Sequence, residues 1–179
     1  MMLNAAVFDL DGTVFNVKKR LDRCLSEGDG GECADPNRAF RIPRDRCSRF
    51  WECYLSPKYM HLDEPYDTVV SRIRELYESG IHIFLTSVRL EKKQMETTID
   101  QLRRYQIPYN DIRLMRDHET GLRHEEFKRI ALLEIIDKGY NIVELWDDNP
   151  EVIEVTKIMI PRAKIKHFNT LGLTLKTIY

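Results

Sequence analysis

The chain has 179 residues, 42% of them apolar, with 28 Lys and Arg against 29 Asp and Glu and a formal net charge of −1. That size suits one domain with a sizeable core, and the balanced charge excludes a chain-wide basic field for nucleic acid, leaving only local patches. The N-terminus lacks the basic and apolar regions of a secretory signal, and no stretch approaches the roughly 20 apolar residues of a membrane span, so a cytoplasmic protein with no membrane contact is expected.

The first apolar run, Ala5-Ala6-Val7-Phe8, reads as a short buried strand that breaks at Asp9-Leu10-Asp11-Gly12-Thr13. Two carboxylates two positions apart at a strand end share one side and suit a divalent cation, or a nucleophile beside a proton-transfer group. The same string also reads as an Asp-Gly turn whose acids cap the loop.

From about Pro65 onward helices and strands alternate. Tyr66 to Ser79 carries Val69, Val70, Ile73 and Leu76 at helical spacing and stops at Gly80. Ile81 to Leu85 is a strand ending at Thr86-Ser87, and Glu91 to Tyr105 is a mostly exposed helix with the stripe Met95, Ile99 and Leu102. Ile112 to Met115 is a brief strand, and His124 to Lys138 is a helix apolar over much of its circumference. Asn141 to Trp146 is a strand running into Asp147-Asp148-Asn149-Pro150, followed by a helix to about Ile160 and a strand from Lys164 to Phe168.

This alternation means an α/β fold, a parallel sheet with helices on both faces, whose ligand site lies beyond the carboxyl ends of the strands. Three of those ends carry Asp9/Asp11, Thr86/Ser87 and Asp147/Asp148, which brings residues distant in sequence into one crevice. A turn-only reading must treat three polar strand ends as coincidence.

Those strand ends resemble the haloacid dehalogenase (HAD) superfamily of phosphotransferases. The string Asp9-x-Asp11-Gly12-Thr13, the strand-closing Thr86, Lys128 in Glu126-Phe127-Lys128, and the pair Asp147-Asp148 follow the order of the four family signatures. The likeness spans residues 1–13 and 63–179 and implies a HAD-like Rossmannoid three-layer sandwich. A narrower likeness is to the phosphatase domain of phage polynucleotide kinase, carried by Asp63-Glu64-Pro65, Leu85-Thr86-Ser87-Val88-Arg89 and Leu114-Met115-Arg116-Asp117. Relatives place Gly between the Thr or Ser and the Arg, whereas Ser87-Val88 separates Thr86 from Arg89. The sequence has no P-loop string, so no attached P-loop kinase is expected.

The resemblance implies a magnesium-dependent phosphomonoesterase. Asp9 would be the nucleophile, forming an aspartyl-phosphate, and Asp11 the acid and base. Magnesium would bind Asp9, the Asp11 carbonyl and Asp148, with Asp147 holding its waters or orienting Lys128. Lys128 and Thr86 would clamp the phosphoryl oxygens, and Thr13, Ser87, Arg89 and Arg116 are the candidates for further substrate contacts.

Residues 14–62 interrupt the pattern where this superfamily inserts a cap, and 49 residues are too few for its larger helical caps, so a fairly open site is expected. All four cysteines, Cys24, Cys33, Cys47 and Cys53, lie here. Structural zinc, two disulfides and reduced core thiols all remain open. Arg38, Arg41, Arg44, Arg46 and Arg49, followed by Phe50-Trp51, suit a nucleic-acid backbone with stacked bases, or pair with acids elsewhere. The expected substrate is a nucleotide or nucleic-acid phosphate end. The alternatives are a small sugar phosphate, or a weakly active scaffold whose insert binds a partner.

Overall fold

The computed structural model describes residues 3–35, 40 and 42–168. At its centre is β1 (Leu3–Asp9), and alternation along it assigns its side chains to two cores. Ala6 and Phe8 pack with Val69, Ile73, Leu85 and Leu102 on one face, whereas Ala5 and Val7 pack with Leu132, Ile135 and Ile153 on the other. A strand buried on both faces needs an unbroken apolar run, which this one has.

Chain order after β1 runs β2 (Phe15–Asn16), α1 (Lys18–Glu27), α2 (Ser48–Tyr54), β3 (Glu64–Pro65), α3 (Asp67–Glu78), β4 (His82–Leu90) and α4 (Glu91–Arg104). It continues through β5 (Asp111–Met115), α5 (His124–Asp137), β6 (Tyr140–Asp147), α6 (Pro150–Met159) and β7 (Lys164–His167). Five strands form one parallel sheet in the order β5-β4-β1-β6-β7. Helices α3 and α4 supply the first core and α5 and α6 the second, a three-layer α/β sandwich. The carboxyl ends of β1, β4 and β6 are neighbours, Asp9 lying in register with Thr86 and Phe8 with Trp146.

Two departures from the sequence pattern matter. Strand β4 runs to Leu90, with a register shift between Ser87 and Leu90. Such a bulge re-aims side chains at the strand's end, here Val88 and Arg89. The described residues of 14–62 include the α-helices α1 and α2, and β2 pairs antiparallel with β3 to close the segment at its base.

The insert has its own small core of Leu21, Cys24, Leu25, Cys47, Phe50, Trp51 and Tyr54. Cys24 pairs with Cys53, tying α1 to α2, and Cys33 pairs with Cys47. The zinc reading is therefore corrected: no cysteine is free, and paired sulfurs cannot be thiolate ligands. The stacking reading of Phe50 is corrected too, because its ring is fully buried against Phe40, Trp51 and Tyr54. Arg38 and Arg41 of the basic run lie outside the described residues.

Candidate active site

Beyond the carboxyl edge of the sheet, a cleft of about 560 Å³ opens between core and insert. Asp9, Asp11, Ser87, Lys128, Asp147 and Asp148 line its core side, and Val17, Phe40, Ile42, Arg44, Trp51 and Tyr54 come from the insert. The short insert thus forms one wall of the cleft.

Asp9 ends β1 and Lys128 projects from α5 to meet it, Nζ to Oδ1, at 2.9 Å. The same ammonium lies 2.9 Å from Asp147 Oδ2 and donates to Thr86 Oγ1 at 2.7 Å. Lys128 is nearly fully buried, a position a lysine tolerates only with partners of this kind. Burial opposes its charge, but Asp147 and Asp9 outweigh it and hold the ammonium protonated well above the usual lysine range.

Asp147 and Asp148 are presented by a turn built from local hydrogen bonds. Asp147 Oδ1 accepts the Asn149 amide at 2.9 Å, and Asn149 Oδ1 caps α6 through the amides of Glu151 and Val152. Pro150 takes the first helical position, where a missing N–H costs nothing. Across the site Gly12 has φ +89°, and a Cβ there would stand 2.1 Å from Asp148 Oδ2. Glycine is required here by both backbone conformation and proximity.

Carboxylate oxygens of Asp9, Asp147 and Asp148 lie within 4.8 Å of one another. Hard oxygen donors at this separation suit magnesium. Desolvation, only partly offset by Lys128, pushes Asp9 up to about 7, and desolvation together with Asp9 and Asp147 pushes Asp148 well above the carboxylate range. These are carboxylates short of positive charge.

Asp11 has the opposite environment. Burial would raise it, but Arg20 and Arg89 prevail and hold it at about 2. Arg20 Nη2 lies 2.7 Å from Asp11 Oδ2, and Arg89 Nε donates to Oδ1 at 2.8 Å. Both guanidiniums also reach buried Asp63, at 3.2 Å each. Asp63 is raised by burial, against the pull of Arg20, to about 6.

Arg89 is fully buried and also donates to Thr98 and Gln101, so its fork is spent on protein groups, leaving it a positioning role. Arg116 does not line the cleft; it pairs with Glu134 at 3.2 Å on an exposed surface. Thr86 and Thr13 are fully buried and do not line the cleft, whereas Ser87 does. Among the described residues the Thr13 hydroxyl has no hydrogen-bond partner.

Arg20 was missed by the sequence reading, and Asp63 was singled out only for its likeness to relatives. Arg20 lies on the buried face of α1 with Leu21, Cys24 and Leu25. An arginine inside an apolar stripe is the signal that marked it. At the floor of the site five carboxylates (Asp9, Asp11, Asp63, Asp147 and Asp148) face three buried cations (Arg20, Arg89 and Lys128), leaving an excess of negative charge that a divalent cation would neutralise.

No protein-family model matches the chain, and no curated protein matches it in sequence. Solved structures do match in fold. A chain of the Pnkp1/Rnl/Hen1 RNA repair complex is similar with a TM-score of 0.64 and 20% identity over 92% of this chain. This chain spans 42% of that one, less than half its length. A dehalogenase is similar with a TM-score of 0.62 and 13% identity, covering 95% of this chain and 86% of its own. A phosphatase described as predicted, from Clostridium acetobutylicum, gives 0.62 and 12%, covering 92% and 84%. The chain has the HAD-like fold, with its acidic site at the carboxyl edge of the parallel sheet.

Proposed function

We propose that the protein is a magnesium-dependent phosphomonoester hydrolase working through an aspartyl-phosphate. The observation that carries this reading is the convergence of Asp9, Lys128, Asp147 and Asp148 at the floor of a cleft, on a fold shared with phosphatases. The Asp9 carboxylate attacks phosphorus in line with the departing oxygen, and water then attacks the same phosphorus and releases phosphate. Asp9, Asp148 and the Asp11 carbonyl would hold magnesium, which would supply charge neutralisation for the phosphoryl oxygens. Lys128 holds Asp9 in place and shares that charge, while Asp147 orients Lys128.

Asp11 carries the proton. Ionised between two arginines, it is ready to take one from the attacking water. Giving one to the leaving oxygen means first binding it against both guanidiniums, which makes departure of a poor leaving group the demanding half. The phosphoryl contact is assigned to Ser87, which lines the cleft, with Thr86 beneath it as an anchor for Lys128. Ser87-Val88-Arg89 then restores the spacing of relatives, with Val88 in the glycine position.

A nucleotide or nucleic-acid phosphate end is the substrate class, supported by the likeness to a chain from an RNA repair complex. The test is hydrolysis of p-nitrophenyl phosphate with magnesium and with EDTA. Asp9→Asn abolishes turnover if the reading holds, and full activity in that variant sinks it.

A further inference from the structure

The cleft wall contributed by the insert has a cation that the chemistry above leaves unused. Lys128 is spent on Asp9 and Asp147, Arg89 and Arg20 on Asp11 and Asp63, and Arg123 on Glu125 and Glu126. Arg44 lines the same cleft, half-buried, and no carboxylate of the described residues pairs with it. Its guanidinium lies over the Trp51 ring, 4.9 Å from the centroid, and Nη1 donates to the Thr120 carbonyl at 3.0 Å. Those two contacts hold the group between insert and core without neutralising it. Desolvation pulls its pKa below the usual arginine range, so its charge is maintained at a cost.

Trp51 supplies the second observation. It is 8% exposed and lines the cleft, and its ring, covered by the Arg44 guanidinium, is a fixed part of the wall. Beside these two groups the wall is Val17, Ile42, Leu55 and the ring of Tyr54, surfaces that suit a flat ring.

Resting on the phosphatase reading, we propose that Arg44 and Trp51 form a leaving-group subsite selecting a nucleoside phosphomonoester that carries a second phosphate. Arg44 takes the second phosphate through the donors that Thr120 leaves unused, and the base lies along the apolar wall beside the Trp51 ring. The same chemistry is offered by a free nucleoside bisphosphate and by the phosphorylated end of an oligonucleotide.

The experiment compares kcat/KM for adenosine 3′-monophosphate, adenosine 3′,5′-bisphosphate and a 3′-phosphorylated oligonucleotide at fixed ionic strength. The second phosphate raises kcat/KM at least about tenfold in the wild type, through KM, the size of a charge-assisted pair. Arg44→Gln loses that preference, Arg44→Lys keeps part of it, and Trp51→Phe weakens all three nucleosides alike. An oligonucleotide favoured over the bisphosphate names a nucleic-acid end; equal rates name the free nucleotide. A preference ratio unchanged in Arg44→Gln, whatever happens to overall activity, overturns the subsite. Calorimetric binding of the same ligands to Asp9→Asn needs no turnover. If that ranking follows the second phosphate while the wild type hydrolyses nothing, the subsite stands and the phosphatase reading falls.

Discussion

Arg20 of the insert lies 2.7 Å from Asp11 of the core loop, with no accessible surface on its own side chain. The insert therefore reaches beneath the cleft to the residue assigned proton transfer, in addition to walling the cleft off. Tyr54 of α2 sits under the same guanidinium, 4.7 Å from ring centroid to Cζ. The position of α1 and α2 thus decides the charge environment of Asp11.

Removing that guanidinium strands Asp11 and Asp63 as buried carboxylates facing Arg89 alone. Arg20→Ala is expected to cost about 3–5 kcal/mol in chemical denaturation, the range for breaking a buried ion pair. It should also lower kcat at least about a hundredfold, because Asp11 loses its fixed orientation as well as its charge partner. Arg20→Lys, which restores charge without the fork, recovers stability more than activity. Equal activity in wild type and Arg20→Ala would remove Arg20 from the site.

The alternation of helices and strands after residue 65 was legible because long amphipathic segments end at clear stops such as Gly80 and Gly139, both at positive φ. The meeting of Asp9, Asp147 and Asp148 was legible because strand ends of a parallel sheet share one edge, whereas Lys128, on a helix, was singled out only by the family resemblance. The insert was not legible. Helix α2 has seven residues, too few to show a period, and β2 and β3 have two each. The bulge near Ser87 is set by pairing with β5, so nothing local announced that Arg89 turns inward. Arg20 was missed for a related reason: its place on the apolar stripe of α1 hinted at burial, but its carboxylate partners lie on other segments.

The acidic floor makes a pH-dependent prediction for magnesium. Asp9 is raised from 3.8 to about 7 and Asp148 is raised with it. Between those limits the folded protein holds protons that the unfolded chain has released, so metal-free stability falls as pH rises through that window. Asp11, lowered to about 2, contributes with the opposite sign: its stabilisation is present above the ordinary range and is lost only as pH falls toward that value. On the proposed reading magnesium competes with the protons on Asp9 and Asp148. Its effect on melting temperature should accordingly be at least about twofold larger near pH 8 than near pH 5.5. A magnesium shift independent of pH would separate these carboxylates from the metal.

Gly12 and Gly80 allow the proposed metal site to be tested apart from backbone strain. Both have positive φ, +89° and +78°, but only at Gly12 does an added Cβ meet Asp148, whereas nothing lies within 4 Å at Gly80. Each substitution to Ala costs about 1–2 kcal/mol for the left-handed backbone. Gly12→Ala must also displace Asp148, so magnesium affinity, read from activity against metal concentration, should fall about 10–100-fold. Gly80→Ala should leave it alone. Equal magnesium dependence in the two variants would mean that Asp148 is free to move without consequence.

The disulfides connect the insert's covalent chemistry to the site. Cys24–Cys53 and Cys33–Cys47 close segments of 29 and 14 residues in a unit with little core of its own. Chain entropy assigns each roughly 3–4 kcal/mol, a large share of any small unit's stability. Cys24 lies four residues after Arg20 on α1, and Cys53 precedes Tyr54 on α2. Reduction therefore loosens the two helices that hold the guanidinium at Asp11. Treatment with a dithiol under native conditions should increase proteolysis between residues 17 and 62 first. Activity toward alkyl phosphates, which need Asp11 to protonate a poor leaving group, should fall more than activity toward p-nitrophenyl phosphate. Cys33→Ser/Cys47→Ser, which leaves the α1–α2 link intact, should reproduce the proteolysis between residues 28 and 47 with a smaller loss of activity. Were that double variant as inactive as the fully reduced protein, the link between Cys24–Cys53 and Arg20 would not be what carries the effect.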